Sequence, residues 1–252
     1  MQLPIKSLSN ILFLDIETVS SQSALSLLDK SYQKHWHNKA NYIRRYQSNA
    51  SSEDAQLYEE KAAIFAEFGK VICISVGYFK TNNGTIDCFR SRSFVHAQEA
   101  PLLQEFAHFL NLHFGHPGKH VLVGHNIREF DVPFICRRML SNNLVLPRIL
   151  ALANKRPWQI KHIVDTMDLW RFGDYKHYVS LDLLAHIMAI PSPKEDLAGD
   201  QVGEVYWKEN DIERISKYCE KDVFATALVY LKLNSFQLGE SIVHKSSELQ
   251  RL

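Results

Sequence analysis

The chain has 252 residues, 46% apolar and 23% charged, and its 29 Lys and Arg against 28 Asp and Glu leave a formal net charge of +1. This is ordinary globular composition, and a polyanionic partner would need a local basic patch rather than the overall charge. Cys73, Cys88, Cys136 and Cys219 form no C-x-x-C pair, which argues against a zinc site and suits a reducing compartment. No apolar run reaches the length of a membrane span and the start has no signal-peptide pattern, so the expectation is a soluble cytoplasmic protein with no membrane partner.

The patterning predicts a buried strand over 10–16, where "ILFLDIETVS" runs from four apolar residues into Asp15 and Glu17. Residues 23–67 are mostly helical in pattern, interrupted by the polar "SNASSED" at 48–54. "KVICISVGYF" at 70–79 is a strand, and "TNNG" at 81–84 turns it into a second strand near 85–89. Helical spacing follows at 99–114, a short apolar strand at 120–124, and helices at 131–140, 180–189 and 211–235, with a short extended segment at 162–167. A hairpin followed by strand–helix alternation predicts a mixed α/β sheet with helices on its faces, in one domain over 1–252. There is no internal repeat and no low-complexity linker.

Three acidic positions stand out. Side chains in a strand alternate faces, so Asp15 and Glu17 share one face, and two like charges there are costly without a cation between them. The ordinary alternative is a strand that has ended, with both acids solvated. In "VLVGHNIREFDVPFICRRM" at 121–139, Asp131 stands at an N-cap position with Pro133 in the first turn. It also lies just beyond a strand's C-terminal end, where α/β sheets tend to place their chemistry. In the 211–235 helix, with Asn210 as its N-cap, Ile212, Ile215, Cys219, Val223, Thr226, Tyr230 and Leu233 form one stripe. Asp222 falls inside that stripe, whereas Glu213, Arg214, Lys217, Glu220 and Lys221 fall on the other side. A buried carboxylate needs compensation, from a metal or from an Arg or Tyr partner, and Tyr218 lies one turn earlier.

Together these stretches resemble the DEDD superfamily of 3′–5′ exonucleases in its tyrosine subclass, which has the ribonuclease-H-like fold. The matching motifs are Asp15-Ile16-Glu17, "HNIREFD" ending at Asp131, and Tyr218-Cys-Glu-Lys-Asp222. "FGKVICISVGY", "VDTMDLW", "SLDLLA" and "GDQVGEVYW" look like the exonuclease domain of family B DNA polymerases and stand-alone bacterial relatives. The likeness covers roughly residues 10–20 and 68–235 and leaves 21–67 as a helical insertion after the first strand. It implies two divalent cations, Mg²⁺ or Mn²⁺, with Asp15 touching both, Glu17 and Asp222 completing one site, and Asp131 reaching the other. It further implies that Tyr218 orients the attacking water, that Thr18 meets the terminal nucleotide, and that Asn126 and Phe130 line its path. His125 is either a substrate contact or a strand-end structural group. Asp165 and Asp168 either assist the acids or serve as a turn or helix cap.

The expected function is 3′–5′ hydrolysis of single-stranded DNA, on a chain too short to include a polymerase. The alternatives are an exoribonuclease or small-oligonucleotide exonuclease on the same site, and a non-catalytic nucleic-acid-binding or scaffolding module. Residues 31–47, "SYQKHWHNKANYIRRYQ", combine Lys34, Lys39, Arg44 and Arg45 with Tyr32, Trp36, Tyr42 and Tyr46 and contain no acid. That is either a single-strand-binding surface or an amphipathic helix packing its aromatics. "CRRM" at 136–139 and "NKRPWQIKH" at 154–162 are further basic patches.

Overall fold

A computed structural model describes residues 5–46, 52–82, 85–174, 176, 178–191, 197–236 and 242–247. Its centre is β1 (Ile11–Ser20), which runs antiparallel to β2 (Gly69–Asn82) on one side and parallel to β4 (Val121–Gly124) on the other. β2 continues antiparallel into β3 (Thr85–Val95), with Asn82 opposite Thr85, so the predicted hairpin forms; Asn83 and Gly84 of its turn lie outside the described residues. β5 (Ile163–Asp165) pairs parallel with β4, and β6 (His244–Ser246) with β3, giving the order β5-β4-β1-β2-β3-β6. The mixed sheet with flanking helices is the α/β arrangement that the patterning predicts.

Alternation along β1 assigns the two faces. Leu12, Leu14 and Ile16 pack under α3 (Glu99–Phe109) and α4 (Asp131–Ser141), against Leu102, Phe106, Val132, Ile135 and Met139. Ile11, Phe13 and Val19 point the other way, toward α8 (Ile212–Leu233). Phe13 alone meets Phe79 and Tyr230 edge-on, at 5.5 and 5.6 Å between ring centroids. Each such fully buried side chain contributes roughly 1.5–3 kcal/mol. Asp15 and Glu17 lie on the α8 face, between Phe13 and Val19, before a register shift at Glu17/Thr18.

Residues 21–67 contain α1 (Lys30–Tyr46) and α2 (Asp54–Lys61), which close on a small core of Trp36, Ile43, Leu57, Tyr58 and Phe68. The Trp36 indole is buried and donates to the Asp54 carbonyl at 2.8 Å, so the amphipathic reading of 31–47 holds for that ring. Tyr32 and Tyr42 remain exposed, at 42% and 57%. The insertion is rooted beside the acids: the Thr18 hydroxyl donates to the Ala63 carbonyl at 2.8 Å, and the Ser21 N–H to that of Phe68 at 2.8 Å. Gly69 is needed there, because a Cβ would sit 2.9 Å from the Ala63 oxygen.

Three sequence expectations are corrected. The α8 cap is Asp211, whose carboxylate accepts the Arg214 N–H at 3.0 Å, while Asn210 takes a left-handed conformation (φ 54°) that ends the preceding turn. Glu220 is buried, because α8 is covered on more than one stripe: its carboxylate accepts from the hydroxyls of Ser91 and of Ser93 (2.8 Å) on β3. Asp222 is therefore not the one charge on α8 that points inward. Asp131 is the first helical residue rather than the cap, a position taken by Phe130 without a side-chain bond.

Candidate active site

Three elements bring the acids together. β1 presents Asp15 and Glu17 on its α8 face, α4 begins at Asp131 just past the end of β4, and α8 carries Tyr218 and Asp222 across the same end of the sheet. The Asp131 carboxylate is buried and turned toward β1, where its Oδ1 accepts the Ile16 N–H at 3.2 Å. That bond pins the second motif to the first. Glu17, Asp131 and Asp222 are buried and Asp15 is partly buried.

The electrostatics follow from this crowding. Burial, and then the charges of Asp131, Asp222 and Glu17, push Asp15 well above the usual carboxylate range. Glu17 is raised by burial, Asp222, Cys73 and Asp131. Asp131 is pushed up to about 7, chiefly by burial and partly by Asp165. No cation is among the groups that shift these three. The Tyr218 hydroxyl bonds to Asp222, so the Asp–Tyr pairing read from the helix does form, within the acid cluster. Burial and the charges of Asp222, Glu17 and Asp15 push the Tyr218 hydroxyl far upward, so it stays protonated across the physiological range.

Cys219 belongs to this group too, which its sequence position alone does not reveal. Its thiol donates to Asp15 Oδ2 at 3.3 Å, and the ligand atoms of Asp15, Glu17 and Cys219 all lie within 4.8 Å of one another. The thiol is raised by burial and its neighbours, hence protonated, and its place on the α8 stripe is the only sequence signal. Carboxylate oxygens suit hard cations such as Mg²⁺ or Mn²⁺, and a protonated thiol does not compete for them.

The candidate substrate residues divide. His125 spends both ring nitrogens internally, Nδ1 on the Thr166 hydroxyl at 2.9 Å and Nε2 on the Val179 carbonyl at 2.8 Å, and burial lowers its pKa. Both ring nitrogens are thus engaged within the fold. The Thr18 side chain is held by Ala63, and Phe130 lies half-buried against Phe134 at 5.5 Å. Asn126 is left-handed (φ 61°), and its buried side-chain oxygen has no hydrogen-bond partner among the described residues.

Asp165 is the brace for this loop. Its carboxylate accepts the N–H groups of Asn126 (2.9 Å), Arg128 (3.2 Å) and Met167 (2.9 Å), the last as the N-cap of α5 (Thr166–Arg171). Asp168 pairs with Arg128 and Arg171 at 3.2 Å each. Asp165 thus does turn and cap work, while Asp168 forms ion pairs. Of the basic patches, Arg138 is committed to Glu99 at 2.6 Å and to the Ala66 carbonyl at 2.9 Å, whereas Lys155, Arg156, Trp158 and Lys161 are exposed.

Residues 64–249 match a family described as a predicted 3′-5′ exonuclease related to the exonuclease domain of PolB. The chain belongs to this family. The match takes in Asp131, Tyr218 and Asp222 and begins after β1, so Asp15 and Glu17 lie outside it. No curated protein matches the chain. Among solved structures it is similar to the family B DNA polymerase from the hyperthermophilic archaeon Pyrobaculum calidifontis, with a TM-score of 0.54 and 17% identity over 88% of this chain. The chain spans 24% of that polymerase. At this identity the likeness shows the fold, the ribonuclease-H-like one expected. No helix among the described residues is long and apolar enough to cross a membrane.

The raised acids make a prediction about stability. A carboxyl whose folded pKa exceeds its unfolded value holds its proton more tightly when folded, so its contribution is complete below about pH 4 and is lost as pH rises. For Asp131 the loss runs from the ordinary 3.8 through about 7. In a chelator, the melting temperature should fall between pH 5 and pH 8, and Asp131→Asn should flatten that slope. A parent slope that is flat or rising would contradict the burial and repulsion described above.

Proposed function

We propose that this member of the family is a metal-dependent 3′–5′ exonuclease that hydrolyses the terminal phosphodiester of single-stranded DNA, with Asp15, Glu17, Asp131 and Asp222 as its metal ligands. The observation that carries this reading is the convergence of four carboxylates from three elements, with Asp15 and Glu17 both raised by burial and by the charges of Asp131 and Asp222. A module that only bound nucleic acid would gain nothing from that arrangement. Oxygen-only acidic ligands fit one or two Mg²⁺ or Mn²⁺ ions, which when bound supply an activated water and neutralise charge at the leaving oxygen.

The chain's own residues have separable roles. Asp15 and Glu17 are held by the rigid centre of the sheet, and Asp131 is fixed to them through the Ile16 N–H. The Tyr218 hydroxyl keeps its proton and so does not act as the base; held at Asp222, it orients water by hydrogen bonding. Asn126, whose buried side-chain oxygen has no hydrogen-bond partner among the described residues, and Phe130 line the path of the terminal nucleotide. The four unpaired thiols support a reducing, cytoplasmic setting.

The test uses single strands of DNA and of RNA labelled at either end. Mononucleotide release from the 3′ end, faster on DNA, is expected. Release from the 5′ end would overturn the reading, and faster release from RNA would replace its substrate by the ribonucleotide one.

A further inference from the structure

The insertion offers a surface that the acid site does not explain. α1 carries five Lys and Arg and no acid, over KSYQKHWHNKANYIRRY. One of its faces presents Tyr32, His35, Lys39 and Tyr42, spaced by three, four and three residues, so they stack along a single stripe about 15 Å long at 1.5 Å per residue. With Glu67 and Phe68 these residues line an open groove of about 660 Å³. Its aromatic faces are supported from behind: Tyr32 stands edge-on to Phe68 at 5.9 Å and to His35 at 6.5 Å. Lys39 Nζ sits 3.9 Å above the Phe65 ring and 5.7 Å from that of Tyr42, a cation on the groove wall between the two tyrosines.

The groove adjoins the acids through a short piece of chain. Phe68 forms part of its wall, and the same 63–68 segment braces β1 immediately after Glu17, through Ala63 to Thr18 and Phe68 to Ser21. Arg44 and His37 are occupied by Asp54 on the other side of α1, so the cation of this face is Lys39, and Glu67 is the one acid of the lining.

We propose that this face of α1 binds the single-stranded nucleic acid lying 5′ of the terminal nucleotide, with bases stacking on Tyr32 and Tyr42 and a phosphate at Lys39. The inference rests on the exonuclease reading for the strand's polarity. The chemistry is that of sequence-tolerant single-strand binding: a cation tracking the backbone and exposed π-faces for successive bases. The insertion is then a grip that lengthens the substrate footprint beyond the catalytic sheet.

The test measures binding by fluorescence anisotropy in a chelator, with single strands of about 3 and about 15 nucleotides, as DNA and as RNA, and with a blunt duplex. The double variant Tyr32→Ala/Tyr42→Ala should bind the long strand at least about 10-fold more weakly, and the short strand as the parent does. Tyr32→Phe/Tyr42→Phe should keep most of the affinity, because the rings remain. Lys39→Gln should lower the dependence of log K on log salt by about one. Melting curves confirm that each variant is folded. Long-strand affinity unchanged in the alanine variant, or lost equally in the phenylalanine variant, would overturn the proposal. The outcome is separable from catalysis: a parent that grips the long strand through these tyrosines but hydrolyses nothing with Mg²⁺ or Mn²⁺ refutes the exonuclease reading alone.

Discussion

Asp15→Asn should abolish hydrolysis while leaving the metal-free protein as stable as the parent or more so. Asp15 is surrounded by Asp131, Asp222 and Glu17, and each of these raises the cost of its charge. An amide of nearly the same shape keeps an oxygen near the Cys219 thiol and removes one member of the repelling set. Rates should fall by at least about 1000-fold, on the scale of losing a principal electrostatic element of the site. Melting curves of parent and variant, each in EDTA and in Mn²⁺, read both effects. The stabilisation that Mn²⁺ gives the parent should shrink in the variant, since a ligand's contribution to stability follows its affinity for the folded state. A variant that melts well below the parent in EDTA, with an undiminished Mn²⁺ effect, would mean that Asp15 is a structural acid.

Tyr218→Phe should slow hydrolysis by roughly 10- to 1000-fold, the range for one oriented polar group at a reacting centre. The ring is buried among Val19, Ile72 and Ile215, so the fold keeps its packing when only the hydroxyl is removed. Asp222 loses a hydrogen bond, but its carboxylate stays, and Mn²⁺ should still raise the melting temperature. The pH profile separates orientation from proton transfer. With its pKa pushed far up, the hydroxyl does not titrate near neutrality, so parent and variant should show the same pH dependence at different heights. A rate equal to the parent's would reduce Tyr218 to packing.

What could be read in advance depended on whether a feature is local. β1, the β2–β3 hairpin and α8 announce themselves because apolar alternation, a turn and a 3.6-residue stripe each occupy one continuous stretch. β6 does not: His244, Lys245 and Ser246 contain no apolar run, and the strand exists through pairing with β3 and a 2.8 Å bond between His244 and Ser91. A single helical stripe puts Glu220 on the solvent side. α8 is instead buried on several sides, under the sheet and beside α5 and α6 (Leu181–Ile187), where Leu228 and Val229 meet Leu184. The hydroxyls that make room for Glu220 lie 127 and 129 residues away on β3.

The acid site was legible as residues but not as a bonded object. Asp15, Glu17, Asp131 and Asp222 each carry a local signal, from strand alternation, strand-end position or the helical stripe. The bond that joins Asp131 to the Ile16 amide spans 115 residues and has no signature in either segment. Asp165 was ambiguous for the same reason, since two of its partners are backbone N–H groups at 126 and 128. The role of 21–67 was equally hidden: Trp36 turns into a core with Leu57 and Tyr58, and only that packing reveals which tyrosines remain outside.

The central claim is that the four carboxylates act through bound metal. Hydrolysis of a 3′-terminal labelled single strand, followed in EDTA and again after Mg²⁺ or Mn²⁺ is restored in excess, tests it most directly. The account predicts no release in the chelator and full recovery on adding either ion, with Asp15→Asn silent throughout. Robust release in EDTA, by the parent and by Asp15→Asn alike, would contradict it.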